Sequence, residues 1–403
     1  MSEVFHEIDP CITAPQGFSA GTTSCGIKAN PTIQDLAILA SDVPCIAAGT
    51  FTTSSTRAAP VLLCQERLKS GKAQALIVNS GNANCITGQQ GLKDAYRMTE
   101  LVATKLGLDE TLVLCSSTGI IGQQLPMEKI EAGIKQIVLS KDGGKAFSEA
   151  IMTTDTYPKR IGLEFEVDSR TVRLGGVCKG SGMIYPNMAT MLCFLTTDAA
   201  VESDWLQGEL QTAVADSFNM ISVDGNMSTN DTCILLANGL AGNTPLNASH
   251  PEVGRFQAAL HYITQYLARE IARDGEGATK FMTVNVHGAR NKYEAIKAAR
   301  AVTCSSIWQC ALTGDDPNWG RIVAALGASG CTLQQDLFDI FLGDTQVVKH
   351  GTAASYEHKL AQAAMAGHEV IITIDLHLGH GQATAWGCDL THGYIDENTL
   401  YTR

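Results

Sequence analysis

Apolar residues along the chain follow two different periods, and the change of period marks a recurring order of strand, loop and helix. The apolar run at residues 73–81 predicts a buried strand. The following segment has apolar residues three and four positions apart, which predicts a helix with one buried face: Leu92, Ala95, Met98, Leu101, Val102 and Leu106. The same order recurs with a strand at 111–118 and a helix at 126–138. Strands and helices are therefore interleaved.

The rest of the chain continues in this way. Residues 162–168 and 171–177 alternate in polarity and predict a hairpin. Further helices are expected at 203–218 and 252–273, and further strands at 233–239, at 280–288 and around Ile371 and Ala383. No internal repeat, low-complexity tract or linker interrupts the pattern. The sequence predicts a mixed α/β protein, of the α/β or α+β class.

Composition limits the classes of partner. The 403 residues are 45% hydrophobic and 17% charged, enough for about two domains with full cores. Lysine and arginine number 29 against 41 acidic residues, which gives a net charge of −12 and disfavours nucleic acid and anionic membranes as partners. No segment is apolar enough to span a bilayer, and the first 18 residues lack the features of a signal peptide. We expect a cytoplasmic protein that acts on small molecules.

Cysteine and histidine do not predict a metal site. The thirteen cysteines are scattered, without a C-x-x-C pair, and are expected to be mostly buried reduced thiols. His377, His380, Cys388 and His392 could be imagined around zinc, but their spacing matches no common site. The run VIITIDLHL also predicts a strand, which would place His377 and His380 on opposite faces. We therefore predict no metal.

Polar loops that contain glycine separate the predicted elements, at 79–88, 116–122, 152–159, 223–232, 274–280 and 314–321. Such loops are typical of functional sites, although each taken alone also fits an ordinary turn or helix cap. GEGATK follows a helix and not a strand, so it is not a phosphate-binding loop. No local pair of cysteine and histidine is present.

The segment GVCKGSGMIYPNMATMLCFLTTDAA, residues 176–200, has an unusual composition. Lys179 stands before Gly180, Ser181 and Gly182, and a threonine at position 190 precedes an apolar run. Taken alone, Thr190 could be only the first polar position before a strand.

Nine motifs in fixed order resemble the ornithine acetyltransferase family, also called the glutamate N-acetyltransferase or ArgJ family. They are AAGTFTTSSTRAAPV, NSGNANCITGQQGLKDA, SSTGIIGQQLP, IMTTDTYPK, KGSGMIYPNMATML, STNDT, RDGEGATKF, DPNWGR and DLHLGHGQATAWGCDLT. The resemblance spans nearly the whole chain. It implies mixed sheets flanked by helices and self-cleavage between Ala189 and Thr190. Two interleaved chains would result: an α chain of residues 1–189 with the oxyanion loop and Lys179, and a β chain of residues 190–403.

The implied chemistry agrees with the absence of a recognisable triad. Cleavage would make Thr190 an N-terminal residue, whose α-amine has an ordinary pKa of about 7.7–8.0 and can accept the proton of its own hydroxyl. The family places the oxyanion donors at a Thr-Gly pair that matches Thr118 and Gly119. Gly119 could equally be a turn glycine with positive φ.

By resemblance, the enzyme passes an acetyl group from N2-acetylornithine to Thr190 and then to glutamate, in arginine biosynthesis. One amide replaces another, so neither ATP nor a cofactor is required. The family's substrate contacts match Thr156, Lys179, Thr190, Glu276, Asn398 and, with the C-terminus offset by one residue, Thr402. Lys179 suits the α-carboxylate shared by both substrates, and Glu276 suits the ammonium of ornithine. The family also implies two copies of each fragment, an α2β2 heterotetramer.

Several points stay open at the level of sequence. Asn226 and Met227 depart from the family's usual acidic residue and threonine, so the role of that loop is uncertain. No motif shows whether acetyl-CoA is a second donor. A hydrolase or aminopeptidase that uses the same threonine is the alternative activity, and a binding protein without catalysis is a third.

Overall fold

The computed structural model describes residues 5–9, 11–185 and 191–400. Ala189, Thr190 and Thr402 lie outside these residues. The strands are β1 His6–Ile8, β2 Phe18–Thr23, β3 Leu36–Phe51, β4 Lys72–Asn82, β5 Val113–Ile120, β6 Lys159–Val167, β7 Arg170–Lys179, β8 Leu192–Thr197, β9 Ile221–Ser222, β10 Thr232–Ala237, β11 Phe281–Ala289, β12 Asp339–Leu342, β13 Thr345–Lys349, β14 Thr352–Ala353, β15 Glu369–Asp375 and β16 Gly381–Cys388. The helices are α1 Ala59–Arg67, α2 Gly88–Leu106, α3 Met127–Gln136, α4 Gly144–Ala150, α5 Ser203–Ala215, α6 Val253–Arg273, α7 Lys292–Thr303, α8 Ser306–Thr313, α9 Gly320–Ala328, α10 His358–Met365 and α11 His392–Leu400.

The described residues form two units, each built on one mixed sheet. The first unit comprises the chain up to Gly180 with residues 191–219 and 227–267, and the second comprises 181–185, 220–226 and 268–400. These units differ from the two predicted fragments, which are defined by a covalent cut. The division into residues 1–189 and 190–403 stays a prediction.

The sheet of the first unit has the strand order β1-β6-β7-β8-β10-β3-β4-β5, with β2 paired to β3. The pairs β4–β5 and β8–β10 are parallel, and the other pairs are antiparallel. Strand β3 joins the two halves of the sheet, because its first part pairs with β4 and its last part pairs with β10. The register of β3 against β4 shifts between Ala40 and Cys45.

A hydrophobic core lies against this sheet. Leu36, Ile38 and Ile77 are fully buried, and Phe147 contacts Phe194 edge to face at 5.9 Å between ring centroids. The helices predicted after β4 and β5 are present as α2 and α3, with the predicted faces packed on the core. The predicted hairpin is β6–β7.

The sheet of the second unit has the order β14-β13-β12-β15-β11-β16-β9. Helix α7 packs on β11 and β16 through a face of small residues, Ala295, Ala298, Ala299 and Val302. Small side chains allow the helix backbone to approach the sheet closely, and this arrangement covers the strands that follow the GEGATK loop.

The strand predicted from the run VIITIDLHL ends earlier than expected. Strand β15 ends at Asp375, so His377 and His380 lie in the following turn and not on opposite faces of a strand. The backbone turns because the Asp375 carboxylate accepts a hydrogen bond from the His377 amide at 2.9 Å. His377 has a φ of 52°, which a continuing strand does not permit.

Candidate active site

Two glycines face each other where the parallel strands β4 and β5 end. Gly119 is the register partner of Gly81, and their φ angles are 131° and 103°. A Cβ on Gly119 would lie 2.3 Å from the carbonyl carbon of Gly81. Only glycine fits at position 119, because a side chain there would collide with backbone atoms. The positive φ is the conformation that the turn alternative for Gly119 requires, and the role of Gly119 as an oxyanion donor stays a prediction.

The residue before Gly119 pairs with the predicted substrate lysine. Lys179 ends β7, and its Nζ donates a hydrogen bond to Oγ1 of Thr118 at 3.0 Å. Both residues are 9% exposed, so the interaction is shielded from water. A hydroxyl that accepts from an ammonium group is free to direct its own proton elsewhere, which suits an oxyanion donor.

The end of β5 is fixed by asparagine side chains from other parts of the chain. Nδ2 of Asn230 donates to the carbonyl oxygens of Ala83 and Ser117, at 2.6 and 2.8 Å. Oγ of Ser117 in turn donates to Oδ1 of Asn79 at 2.6 Å. Sequence analysis did not single out Asn230. The sequence signal for Asn230 was its place in the STNDT motif, and the structure shows that this polar residue is buried.

Asp155 is a second residue that sequence analysis missed. Its Oδ1 accepts hydrogen bonds from Nζ of Lys159 at 2.6 Å and from the Gly180 amide at 2.7 Å. Burial alone would raise the pKa of Asp155, but the charges of Lys159 and Lys179 and these hydrogen bonds outweigh it and lower the pKa to about 2. Thr156, a predicted substrate contact, is the exposed neighbour of this buried carboxylate.

A further lysine, also not predicted, belongs to the same group of charges. Nζ of Lys28 donates to the carbonyl oxygen of Met152 at 2.8 Å, at the start of the TTDT loop. Burial lowers the pKa of Lys28 to about 8, the charge of Lys179 adds to this effect, and Asp35 and Asp155 oppose it. The first unit therefore holds Lys28, Lys159 and Lys179 in one group of charges that interact with Asp155, and of these Lys179 contacts Thr118.

The second unit holds the other predicted substrate contacts. Glu276 lies in the turn between α6 and β11, and its Oε2 accepts a hydrogen bond from Nδ2 of Asn398 at 2.7 Å. The Glu276 amide donates to the carbonyl oxygen of Ser181 at 2.9 Å. A Cβ on Gly182 would lie 2.2 Å from the Glu276 carboxyl carbon, so a side chain at position 182 would displace that carboxylate. Glu276 and Asn398 are brought together as one polar pair.

Asp224 anchors the segment that precedes the undescribed stretch. Its carboxylate accepts hydrogen bonds from the amides of Met183 at 2.6 Å and Ile184 at 3.0 Å. The hydroxyl of Tyr394 donates to the same carboxylate at 3.2 Å, and burial together with the charge of Asp224 raises the pKa of Tyr394. Met183 has a φ of 56°, an unusual conformation for a side chain of its size.

In the loop that departs from the family pattern, Asn226 is exposed, and its backbone N–H donates a hydrogen bond to Oδ1 of Asp224 at 3.0 Å. The sulfur of Met227 accepts a hydrogen bond from Oγ1 of Thr53 at 3.7 Å. All thirteen cysteines are free thiols, most of them buried as predicted. Within the described residues, no group of three or more His, Cys, Asp or Glu side chains could hold a metal ion. No helix in this part of the chain has the length and apolar composition to cross a membrane.

The structure thus groups Thr118, Gly119, Thr156 and Lys179 in the first unit, and Glu276 and Asn398 in the second. The predicted nucleophile Thr190, the cleavage partner Ala189 and the contact Thr402 lie outside the described residues.

Comparison with known proteins identifies relatives along the whole chain. A model of the ArgJ family matches residues 19–403. The arginine biosynthesis bifunctional protein ArgJ of Symbiobacterium thermophilum is 48% identical over 393 residues, which are 97% of this chain and 98% of that protein. The protein of the same name from Bacillus subtilis is 43% identical over 391 residues, or 97% and 96% of the two chains. A crystal structure of the Bacillus halodurans ArgJ protein is 42% identical, with a TM-score of 0.51, and covers 52% of this chain and 98% of that chain.

The mixed α/β fold and these relatives define an acyltransferase of arginine biosynthesis. The chain belongs to the ArgJ family. The predictions of the family, of the mixed sheets flanked by helices and of the enzyme class are confirmed.

Proposed function

We propose that the chain transfers an acetyl group from N2-acetyl-L-ornithine to L-glutamate through an ester on Thr190. The observation that carries the proposal is the hydrogen bond from Lys179 to Thr118 beside the positive φ of Gly119. This pair joins a cation suited to an α-carboxylate with a donor suited to an oxyanion. The motifs that hold it belong to a family whose members are named as enzymes of arginine biosynthesis.

Self-cleavage comes first. The Thr190 hydroxyl attacks the Ala189 carbonyl carbon, the peptide C–N bond breaks, and the hydroxyl proton passes to the departing nitrogen, which becomes the new α-amine. Water then hydrolyses the ester and leaves a carboxylate on Ala189. Support comes from the flanks: Ile184 accepts from the Val223 amide at 2.8 Å, and Met191 accepts from the Thr232 amide at 2.9 Å. The half-length of the Bacillus halodurans chain agrees with a cut near residue 190.

Acetyl transfer repeats this chemistry on the substrate. The Thr190 hydroxyl gives its proton to the α-amine and attacks the acetyl carbonyl of acetylornithine, and the proton passes to the departing ornithine amine. The amine of glutamate then attacks the ester and returns the hydroxyl to Thr190. Thr118 and the Gly119 amide stabilise both oxyanions, and each such donor is typically worth about 3–4 kcal/mol in the transition state.

Each substrate contact has a proposed role. Lys179 binds the α-carboxylate that donor and acceptor share, with Thr156 beside it. Glu276, oriented by Asn398, binds the side-chain ammonium of ornithine. Thr402 completes the set through its hydroxyl.

The proposal includes the second acetyl donor, the assembly and the cellular location of the enzyme. The name "bifunctional" of the relatives supports acetyl-CoA as a second acetyl donor, with glutamate as acceptor. The mature form is an α2β2 heterotetramer of the two fragments in the cytoplasm, without a bound cofactor. Size-exclusion chromatography with light scattering measures the assembly.

One mass-spectrometry experiment tests the central step. Processed enzyme incubated with acetylornithine alone should gain one acetyl mass on the fragment 190–403 and none on 1–189. Addition of glutamate should remove that mass and yield acetylglutamate, while water should remove it slowly. Fast loss to water without acetylglutamate would establish the hydrolase alternative. Intersecting initial-rate lines without an acetylated fragment would mean direct transfer, with Thr190 serving only in processing.

A further inference from the structure

Asp155 connects two segments that carry predicted substrate contacts. It lies in the loop between α4 and β6, immediately before Thr156, and its side chain is fully buried. Its Oδ2 accepts from the Thr153 amide at 3.0 Å, so the carboxylate also fixes its own loop.

The same carboxylate reaches the end of strand β7. Its Oδ1 accepts from the amide of Gly180 at 2.7 Å, and Gly180 directly follows Lys179. The φ of Gly180 is 155°, within the range that favours glycine. A hydrogen bond to the amide after Lys179 fixes the peptide plane from which the lysine side chain departs. Asp155 therefore acts on the position of Lys179 through the backbone and on its charge through space.

Lys159 forms an ion pair with this carboxylate. Its Nζ lies 2.6 Å from Oδ1 of Asp155, both side chains are fully buried, and the ammonium lies 5.1 Å from the Tyr157 ring centroid. A buried ion pair of this kind is weak evidence for stability, because desolvation offsets the attraction. The hydrogen bonds of Asp155 to its own loop and to Gly180 point instead to a role in local geometry.

We propose that Asp155 is a positioning residue that holds Lys179 and Thr156 in the arrangement that recognises the α-carboxylate of donor and acceptor. This inference rests on the proposed function, since it names the structural support of the same site. Asp155 need not touch substrate. It fixes the two residues that do.

Paired substrates measure this role directly. Acetylornithine is compared with its α-carboxamide, and glutamate with its α-carboxamide, so each pair differs only in the recognised group. The ratio of kcat/KM for acid over amide reports carboxylate recognition, and a general loss of folded enzyme does not change it. Lys179→Ala provides the reference for lost recognition.

The variants separate positioning from charge balance. Asparagine at position 155 could still accept from the Gly180 amide, and removal of Asp155 alone would leave Lys159 buried without its anion. The decisive variant is therefore Asp155→Ala with Lys159→Met. Lys159→Met alone is the matched control, because Asp155 keeps its bond to Gly180. Asp198→Ala is a second control, because this buried carboxylate, which follows the last residue of β8, likewise accepts from two backbone amides, those of Gln16 and Arg173.

We expect the acid-to-amide ratio to fall at least about tenfold in the double variant and to stay near the wild-type value in both controls. A wild-type ratio in the double variant, with a collapsed ratio in Lys179→Ala, would overturn the inference and leave the proposed function intact. A wild type that transfers no acetyl group would refute the proposed function instead. Calorimetric binding of glutamate and its α-carboxamide to the same variants would then decide the inference.

Discussion

Oε2 of Glu276 accepts a hydrogen bond from Nδ2 of Asn398 at 2.7 Å, which joins the turn after α6 to the last helix, α11. Asn398 also donates to the carbonyl oxygen of Tyr394 at 2.9 Å, so its amide is held by its own helix. Among the described residues, this carboxylate is oriented by a neutral donor and not by a cation. Its negative charge remains available to a ligand.

Glu276→Gln is predicted to discriminate between the two substrates. The amide keeps an oxygen that can accept from Asn398 but loses the charge that attracts ornithine's ammonium. We expect KM for acetylornithine to rise about tenfold, which is the size of one charge-assisted hydrogen bond, while KM for glutamate changes little. Steady-state kinetics with each substrate varied separately gives both values. Equal losses would remove Glu276 from the ammonium role.

Gly119→Ala is predicted to destabilise the first unit and abolish transfer. The φ of 131° costs an alanine about 1–3 kcal/mol, and the Cβ would also collide with Gly81 at 2.3 Å. Gly208→Ala is the matched control, because Gly208 is exposed in α5 and a Cβ there meets nothing within 4 Å. That substitution should stabilise the protein by about 0.5–1 kcal/mol. Urea unfolding measures both, and a Gly119→Ala variant as stable and active as wild type would contradict the site.

Self-cleavage predicts two fragments on a denaturing gel, residues 1–189 and 190–403, with threonine at the second N-terminus. Thr190→Ala should remain a single chain because the attacking hydroxyl is gone. Thr190→Ser should still be cleaved, since it keeps the hydroxyl and loses only the rotamer restriction of a β-branched side chain. Intact mass and N-terminal sequencing are the measurements. An uncut wild type under native conditions would reject the mechanism.

The activity of the processed enzyme should depend on pH through the Thr190 amine. An α-amine has an ordinary pKa of about 7.7–8.0, so kcat/KM should rise as it loses its proton and level off above that value. The control is a Thr190→Ser enzyme, which has the same kind of amine and should keep the midpoint. A profile governed by a group near the ordinary histidine pKa of about 6.5 would indicate a different base.

Acid stability should show the contribution of Asp155. Its pKa is lowered from 3.8 to about 2 in the folded protein, so its stabilisation is complete above the unfolded value and is lost as the pH falls through about 2. The contribution amounts to about 2 kcal/mol. The difference in unfolding free energy between wild type and Asp155→Asn should therefore shrink between about pH 4 and 2.

For Asp198→Asn, the difference in unfolding free energy from wild type should change with pH in the opposite direction. Burial raises the pKa of Asp198, so the folded state binds more protons than the unfolded state and wild type should gain stability relative to this variant as the pH falls. Denaturant titrations at several pH values measure both differences. Parallel pH curves for wild type and Asp155→Asn would contradict the depressed pKa.

Local pattern was sufficient where a continuous apolar run or one apolar helix face stands out. Strand β4 was expected at 73–81 and spans Lys72–Asn82, and helix α3 was expected at 126–138 and spans Met127–Gln136. Strand β3 was not predicted, because its sixteen residues are mostly buried and contain Asp42 and Pro44, so neither period stands out. Burial on both sides removes the alternation that identifies a strand.

The sequence by itself determined the family, through nine motifs in order, and with the family the candidate residues Thr118, Gly119, Lys179, Glu276 and Asn398. Thr118, Gly119, Lys179 and Glu276 lie within those motifs, and Asn398 was assigned from the resemblance of the C-terminal segment to the family. Tertiary structure decided which groups support them. Asp155 meets Gly180 across 25 residues and Asn230 meets Ser117 across 113. Such contacts arise when distant strand ends are buried together and their polar atoms must find partners, and no local pattern encodes that requirement.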